Sequence, residues 1–364
     1  MKNIILIVCF FYCHSVIVIR QTKWKNPMNE PFPVLKGRLF DANDYSRLPS
    51  EIKDSVRTAV WDLSQQSAGL FLDFRTNSSE IIVEFTVAGP VQLPHMSATG
   101  VSGVDLYTKT QNGKWEWARG NFSFKDTVRY EFYLDQKSNV IVEFRLFLPL
   151  YNKVKNLRVG VSQEFNLEFR VAEKESPIIV YGTSIAQGAC ASRPGLAWST
   201  ILSRESGYQV VNLGFSGNGL LEKELIHYIG ESKASLFILD CLPNLMKEKG
   251  LSDKDIRDRI RYAVNYLYNQ HSQTPILLTA HGGYSDGVLD PSRKKIYTHL
   301  NELLEEEYHL LLKGGKENLH LLGINEIGLT DMDFVDGTHP NDRGMVKYAN
   351  AYQKKLQEIG LVPN

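Results

Sequence analysis

The sequence predicts two domains of different class. An antiparallel β-sandwich of jelly-roll type spans residues 36–172, and an α/β domain with a parallel sheet spans residues 177–362. Three observations predict this. From about Lys36 to Arg170, short runs of β-branched and aromatic residues alternate with polar ones, and turn residues separate the runs. Residues 171–177 then form a polar stretch ending in Pro177, which reads as a linker. Beyond it, short apolar runs alternate with stretches of helical spacing, the pattern of a parallel sheet covered on both faces.

The elements follow in order. Met1-Lys2-Asn3 precedes an apolar run over residues 4–19, broken by Cys13, His14 and Ser15. A basic start before a short apolar stretch reads as a secretory signal over residues 1–20. It falls short of the ~20 residues a membrane-spanning helix needs. An exported protein, periplasmic or extracellular, is therefore expected. Sandwich strands are predicted at residues 69–74, 81–87, 130–134, 140–146 and 157–161, with turns at 76–79 and 111–113. In the second domain, strands are predicted at 178–181, 210–213, 236–239, 276–279 and 320–322. Helices are predicted after Ser184 and at 223–230, 254–269, 291–312 and 343–359. In the 254–269 span, Ile256, Ile260, Ala263, Val264 and Leu267 recur at helical spacing. Sheets of this type collect their chemistry at the carboxyl edges of the strands.

Composition narrows the function. Lysine plus arginine equals aspartate plus glutamate, 41 against 41, so nothing favours nucleic acid or an anionic membrane surface. Aromatic residues are 11% of the chain, which fills a sandwich core and also suits a sugar-binding surface. Cys9 and Cys13 fall in the signal. Cys190 and Cys241 remain, each just after a strand of the second domain; they either pair in an oxidising compartment or stay two small buried thiols.

The chemistry concentrates at strand ends. The apolar run at 178–181 leads into Gly182-Thr183-Ser184, which places Ser184 at a carboxyl edge beside the first free N–H groups of a helix. Alone, such a serine serves equally well as a helix cap. Asp336-Gly337-Thr338-His339 supplies a carboxylate and an imidazole three residues apart. The carboxylate can fix the tautomer and leave the other ring nitrogen as a base. Asp-x-x-His also suits a metal, but no matching His/Cys cluster stands elsewhere in the sequence, so none is expected. Residues 212–219 form a glycine-rich turn after a strand, where a backbone N–H can approach a substrate. They lack the Gly-Lys-Ser/Thr of a nucleotide loop. Asn244 follows the next strand and can donate its amide to an oxyanion.

Taken together, Gly-Thr-Ser184, Gly214, Asn244 and Asp336-x-x-His339 resemble the four blocks of the SGNH (GDSL-type) hydrolase superfamily. Gly-Thr-Ser-Ile stands for the usual Gly-Asp-Ser-Leu, and Leu-Pro-Asn-Leu for Gly-x-Asn-Asp. These departures resemble a branch carrying Tyr-Gly-Thr-Ser-Ile-x-Gln-Gly, then Ser-Arg-Pro-Gly, here at 181–188 and 192–195. That branch has an N-terminal β domain with a Gly-x-Asp-Leu-Tyr motif, matched by Gly103-Val104-Asp105-Leu106-Tyr107. The resemblance implies a flavodoxin-like three-layer catalytic domain. It implies Ser184 as nucleophile, His339 as base and Asp336 as its orienter. The Ser184 N–H, the Gly214 N–H and the Asn244 amide would form the oxyanion hole. Asp105, Tyr107, Arg193 and His281 are candidate substrate contacts.

The expected protein is a serine esterase releasing short acyl groups, above all O-acetyl, from a small-molecule or glycan ester. No cofactor, metal, nucleic acid or stable membrane partner is expected, and the oligomeric state is not legible. The rival readings are a lysophospholipase or short-chain lipid esterase, an amidase acting on N-acetyl groups, and a glycan-binding protein without activity.

Overall fold

Strands dominate the first part of the computed structural model, which describes residues 21–110, 112–134, 140–172 and 176–363. The expected signal and residues 173–175 of the expected linker lie outside those residues. One antiparallel sheet runs Thr22–Lys25, Val154–Ser162, Glu80–Val87, Val128–Tyr133, Gly120–Phe124. The other runs Leu167–Phe169, Phe71–Thr76, Val142–Phe147, Asp105–Lys109, Trp115–Ala118, with Leu35–Lys36 beside Phe71–Thr76. Alternate residues point inward, and Leu72, Phe74, Ile81, Val83, Phe85, Phe132, Phe144 and Val159 form one buried cluster. Thr22–Lys25 pairs with residues 159–162, so the first sheet takes in chain ahead of Lys36.

The second domain is a parallel five-stranded sheet in the order Val210–Gly214, Ile178–Gly182, Leu236–Asp240, Ile276–Thr279, Leu319–Leu322. The strands are mostly apolar because both faces are covered. Ile179, Tyr181, Leu213, Phe237 and Leu278 face one core, shared with Lys223–Gly230, Asp253–Gln270 and Pro291–Lys313. Ile178, Val180, Leu236, Ile238 and Leu277 face the other, shared with Trp198–Ser206 and Asp342–Glu358. Ser252 and Asp255 form a capping box at the start of the 253–270 helix, and Asp290 caps the next.

The domains are joined by buried polar groups as well as apolar ones. Leu48 and Val60 enter a core of the second domain. Fully buried Arg47 donates to the carbonyls of Leu63, Gln66, Asn212 and Gly214 at 2.7–3.1 Å. Those four carbonyls satisfy a guanidinium that burial pushes down to about 9. Asn212 and Gly214 are thereby tied to the 63–66 segment.

Candidate active site

The site is built at the carboxyl edge of the second sheet. Gly182 ends its strand where a Cβ would meet the Ala186 Cβ at 2.5 Å, so only glycine lets the chain fold straight into the Ser184–Gln187 turn. Thr183, not Ser184, caps that turn: its hydroxyl accepts from the Ile185 N–H at 3.3 Å. The Ser184 hydroxyl is thus free of capping, and Oγ lies 2.9 Å from His339 Nε2.

The second loop orients its own histidine. Gly337 takes φ +82, a left-handed turn that suits glycine. Asp336 Oδ1 accepts from the backbone N–H groups of Thr338 (3.1 Å) and His339 (2.8 Å), and Oδ2 lies 2.7 Å from His339 Nδ1. Burial pushes the Asp336 carboxyl up, but these hydrogen bonds outweigh it and hold the group below its ordinary value. A carboxylate only accepts, so Nδ1 carries the proton and Nε2 offers its lone pair to Ser184. Arg293 braces the turn by donating to the Gly337 carbonyl and Thr338 Oγ1.

Three donors have no partner among the described residues: the Ser184 N–H, the Gly217 N–H and the Asn244 Nδ2 group. The Gly219 N–H donates to Asn244 Oδ1 at 3.2 Å, which fixes the amide so that its NH₂ faces away. Gly214 differs from the expectation. Its N–H donates to Asn212 Oδ1 at 2.9 Å, and a Cβ there would lie 2.2 Å from the Gln187 nitrogen. Gly214 is therefore a packing glycine beneath the Ser184–Gln187 turn. Gly217, at φ +66 with almost nothing near its Cβ position, is the open glycine of that loop.

Asp105, Tyr107 and Arg193 come together, but as a clamp between the domains. Asp105, 3% exposed, accepts from Gly195 N (2.7 Å), Arg193 Nη1 (2.8 Å) and Trp117 Nε1 (3.0 Å). Arg193 also donates to the Tyr107 hydroxyl at 2.8 Å and lies over the Trp117 ring at 4.4 Å. The Asp105 carboxylate and the Tyr107 hydroxyl are spent within this cluster, which leaves neither free for a substrate. His281 is buried as well. Its Nδ1 accepts from Gly283 N–H, its ring packs on Tyr284 and Tyr297, and burial with nearby Arg293 pushes it down to about 3. It is a neutral packing histidine.

Cys190 and Cys241 are both free thiols. Cys241 Sγ donates to the Tyr181 carbonyl and Cys190 Sγ to the His95 carbonyl, each at 3.4 Å. Burial and then Asp336 push the Cys190 thiol up to about 12. His95, which sequence reasoning passed over, reaches the site from the sandwich domain and stacks on His339, ring centroids 5.7 Å apart. One donor atom each from His95, Cys190, Asp336 and His339 lies within 4.8 Å of the others. The His/Cys cluster lacking near Asp-x-x-His in the sequence is thus assembled by the fold.

Known proteins share this arrangement of domains. The model of the GDSL-like lipase/acylhydrolase family matches residues 175–357, and that of the GxDLY domain, the N-terminus of SGNH-hydrolase-type esterases, matches residues 22–167. No curated protein matches. A GDSL-like lipase structure from Bacteroides ovatus is 32% identical, over 94% of this chain and 99% of that one, with a TM-score of 0.85. The salicylyl-acyltransferase SsfX3 of a tetracycline biosynthetic pathway is 21% identical, over 94% and 98%, with a TM-score of 0.75. A family two carbohydrate esterase from Cellvibrio japonicus shares the fold at 14% identity, over 80% and 89%, with a TM-score of 0.54. The paired models and the Bacteroides relative make this chain a member of the GDSL-like (SGNH) acylhydrolase family with a GxDLY-type N-terminal domain.

Proposed function

We propose that the protein is an exported serine esterase that removes short acyl groups, chiefly O-acetyl, from carbohydrates. The observation that carries the esterase reading is the continuous relay from Asp336 through His339 to Ser184 Oγ. Ser184 attacks the ester carbonyl as His339 Nε2 takes its proton, and Asp336 stabilises the imidazolium. The developing oxyanion is met by the Ser184 N–H, the Gly217 N–H and Asn244 Nδ2. His339 then protonates the leaving alcohol and, in turn, activates the water that clears the acyl-enzyme. No step calls on a cofactor. The carbohydrate half rests on the sandwich partner domain, the predicted export signal and the carbohydrate esterases among the fold relatives. Acetate release from a panel of acetylated glycans tests it; hydrolysis of p-nitrophenyl acetate with no release from any glycan would remove the carbohydrate.

One observation favours a second reading, a short-chain lipid esterase. Val288 and Leu289 are both 88% exposed, on the segment whose Ser285 N–H bonds the Gly337 carbonyl, and Met332 and Val335 are exposed beside the same turn. Exposed apolar side chains of this kind suit an acyl chain. A series of p-nitrophenyl esters separates the readings: rates that rise from acetate to octanoate favour lipid, and rates that fall favour acetyl.

A further inference from the structure

Four metal-type donors meet beside Ser184, and two of them, His95 and Cys190, take no part in the acyl transfer. His95 sits at the tip of a turn closed by mutual backbone hydrogen bonds between Leu93 and Met96 at 3.0–3.1 Å. Met96 packs with Val101, Ala189 and Cys190 in a small core between the domains, so the imidazole and the thiol are brought in on one packed unit. Cys190 holds φ +68, a left-handed conformation rare for a residue with a side chain, and its Sγ faces the His95 carbonyl. The rings of His95 and His339 are inclined by only 26°.

The donor set is chemically selective. Two imidazoles, a thiolate and a carboxylate suit zinc far better than magnesium or calcium, which prefer oxygen ligands. Zinc bonds of about 2.0 Å to nitrogen and 2.3 Å to sulfur in a tetrahedron space ligand atoms about 3.3–3.8 Å apart. The four donor atoms already lie within 4.8 Å of one another. Closing that gap takes a shift of about 1 Å toward zinc-bond geometry, and the exposed His95 side chain is free to supply it. One carboxylate and one thiolate balance the two charges of the ion.

We propose that His95, Cys190, Asp336 and His339 form an inhibitory zinc site, in which the ion takes His339 out of the catalytic relay. The inhibitory consequence rests on the esterase reading above; the binding does not. His339 has one nitrogen on Ser184 and the other on Asp336. Whichever nitrogen coordinates, one of these hydrogen bonds is replaced by a metal bond, and the base is lost. Forming the Zn–S bond releases the Cys190 thiol proton to solvent; where Nδ1 of His339 coordinates, its proton passes to Nε2, and no electron moves. A chelator reverses the step.

The test has two arms, both on the full chain. Binding is read without activity, by calorimetry with Zn²⁺ and by absorption with Co²⁺. One equivalent is expected, with a thiolate-to-cobalt charge-transfer band that persists in Ser184→Ala and vanishes in Cys190→Ala. Inhibition is read as the zinc concentration that halves ester hydrolysis, each variant referred to its own metal-free rate. That concentration should rise at least ~10-fold in His95→Ala and in Cys190→Ala, as expected when a metal site loses a supporting group, and EDTA should restore the rate. His95 is exposed, so its alanine variant keeps the fold even if the buried Cys190 variant does not. Hydrolysis with no stoichiometric zinc binding, or equal inhibition of wild type and His95→Ala, overturns the site. Binding by a protein that hydrolyses no ester supports the site and removes the esterase reading instead.

Discussion

Replacing Asp105 with alanine should loosen the two domains rather than weaken substrate binding. The carboxylate is 3% exposed and accepts three hydrogen bonds, from Gly195 N, Arg193 Nη1 and Trp117 Nε1. Removing one partner of a buried ion pair costs about 3–5 kcal/mol, because the other charge is left uncompensated. The Arg193 side chain is 22% exposed, and water recovers part of that loss. A destabilisation of about 2–4 kcal/mol follows once that screening is applied. For a chain of this size the melting temperature should fall by roughly 3–5 °C. Differential scanning fluorimetry reads the shift, and kinetics with p-nitrophenyl acetate at a temperature where both proteins are folded reads the site. The Michaelis constant should stay within about twofold, since a residue with no substrate contact removes no uniform binding. Asp105→Asn, which keeps the volume and one acceptor, should fall between wild type and alanine. An Asp105→Ala protein that melts with wild type but shows a large rise in KM would refute the clamp and make Asp105 a substrate contact.

Further expectations follow from other residues. Asn244→Ala should lower kcat by ~10²–10³ with little change in KM, as loss of an oxyanion donor does; steady-state kinetics would show otherwise if the amide served only to hold Gly219. Gly214→Ala should fail to fold or melt far below wild type, its Cβ lying 2.2 Å from the Gln187 nitrogen, whereas Gly217→Ala, strained by φ +66 at a cost of roughly 1–2 kcal/mol, should keep the fold. Asp240 is buried with Oδ2 unpartnered among the described residues, and burial pushes its carboxyl up to about 8. The unfolded chain gives up that proton near 4 while the native state keeps it. Stability is therefore lost as pH rises from about 4 toward 8, by up to ~1.4 kcal/mol per unit from this group. Asp240→Asn should flatten that slope in urea melts across the range, and an unchanged slope would show that Asp240 is ionised in the native state.

Much of the architecture was readable because periodicity reports burial. Strands covered on both faces show as unbroken apolar runs, such as 178–181 and 236–239, and the 253–270 helix shows its buried stripe. Thr22–Lys25 escaped because Thr-Lys-Trp-Lys at a sheet edge carries no clear alternation. The Asp336–His339 relay was legible because both groups lie in one short turn, where three residues of spacing decide the geometry. The choice between Gly214 and Gly217 was not. Both stand in one glycine-rich segment, and only the Asn212 side chain, folded back on Gly214, decides which N–H is spent. The Gly-x-Asp-Leu-Tyr motif misled for a related reason. A buried, paired aspartate and one waiting for substrate look the same until Arg193, Gly195 and Trp117 are seen around it. His95 carried no local signal, because its partners arrive from the other domain.

The central claim is that Ser184 is the covalent centre of acyl transfer. Acid quenching of the protein during turnover of p-nitrophenyl acetate, followed by peptide mass spectrometry, tests it directly. The account predicts a single acetyl group on the peptide holding Ser184, accumulating in wild type and absent from Ser184→Ala, which should also lose ester hydrolysis. Acetylation at another residue, or full activity in Ser184→Ala, would contradict it.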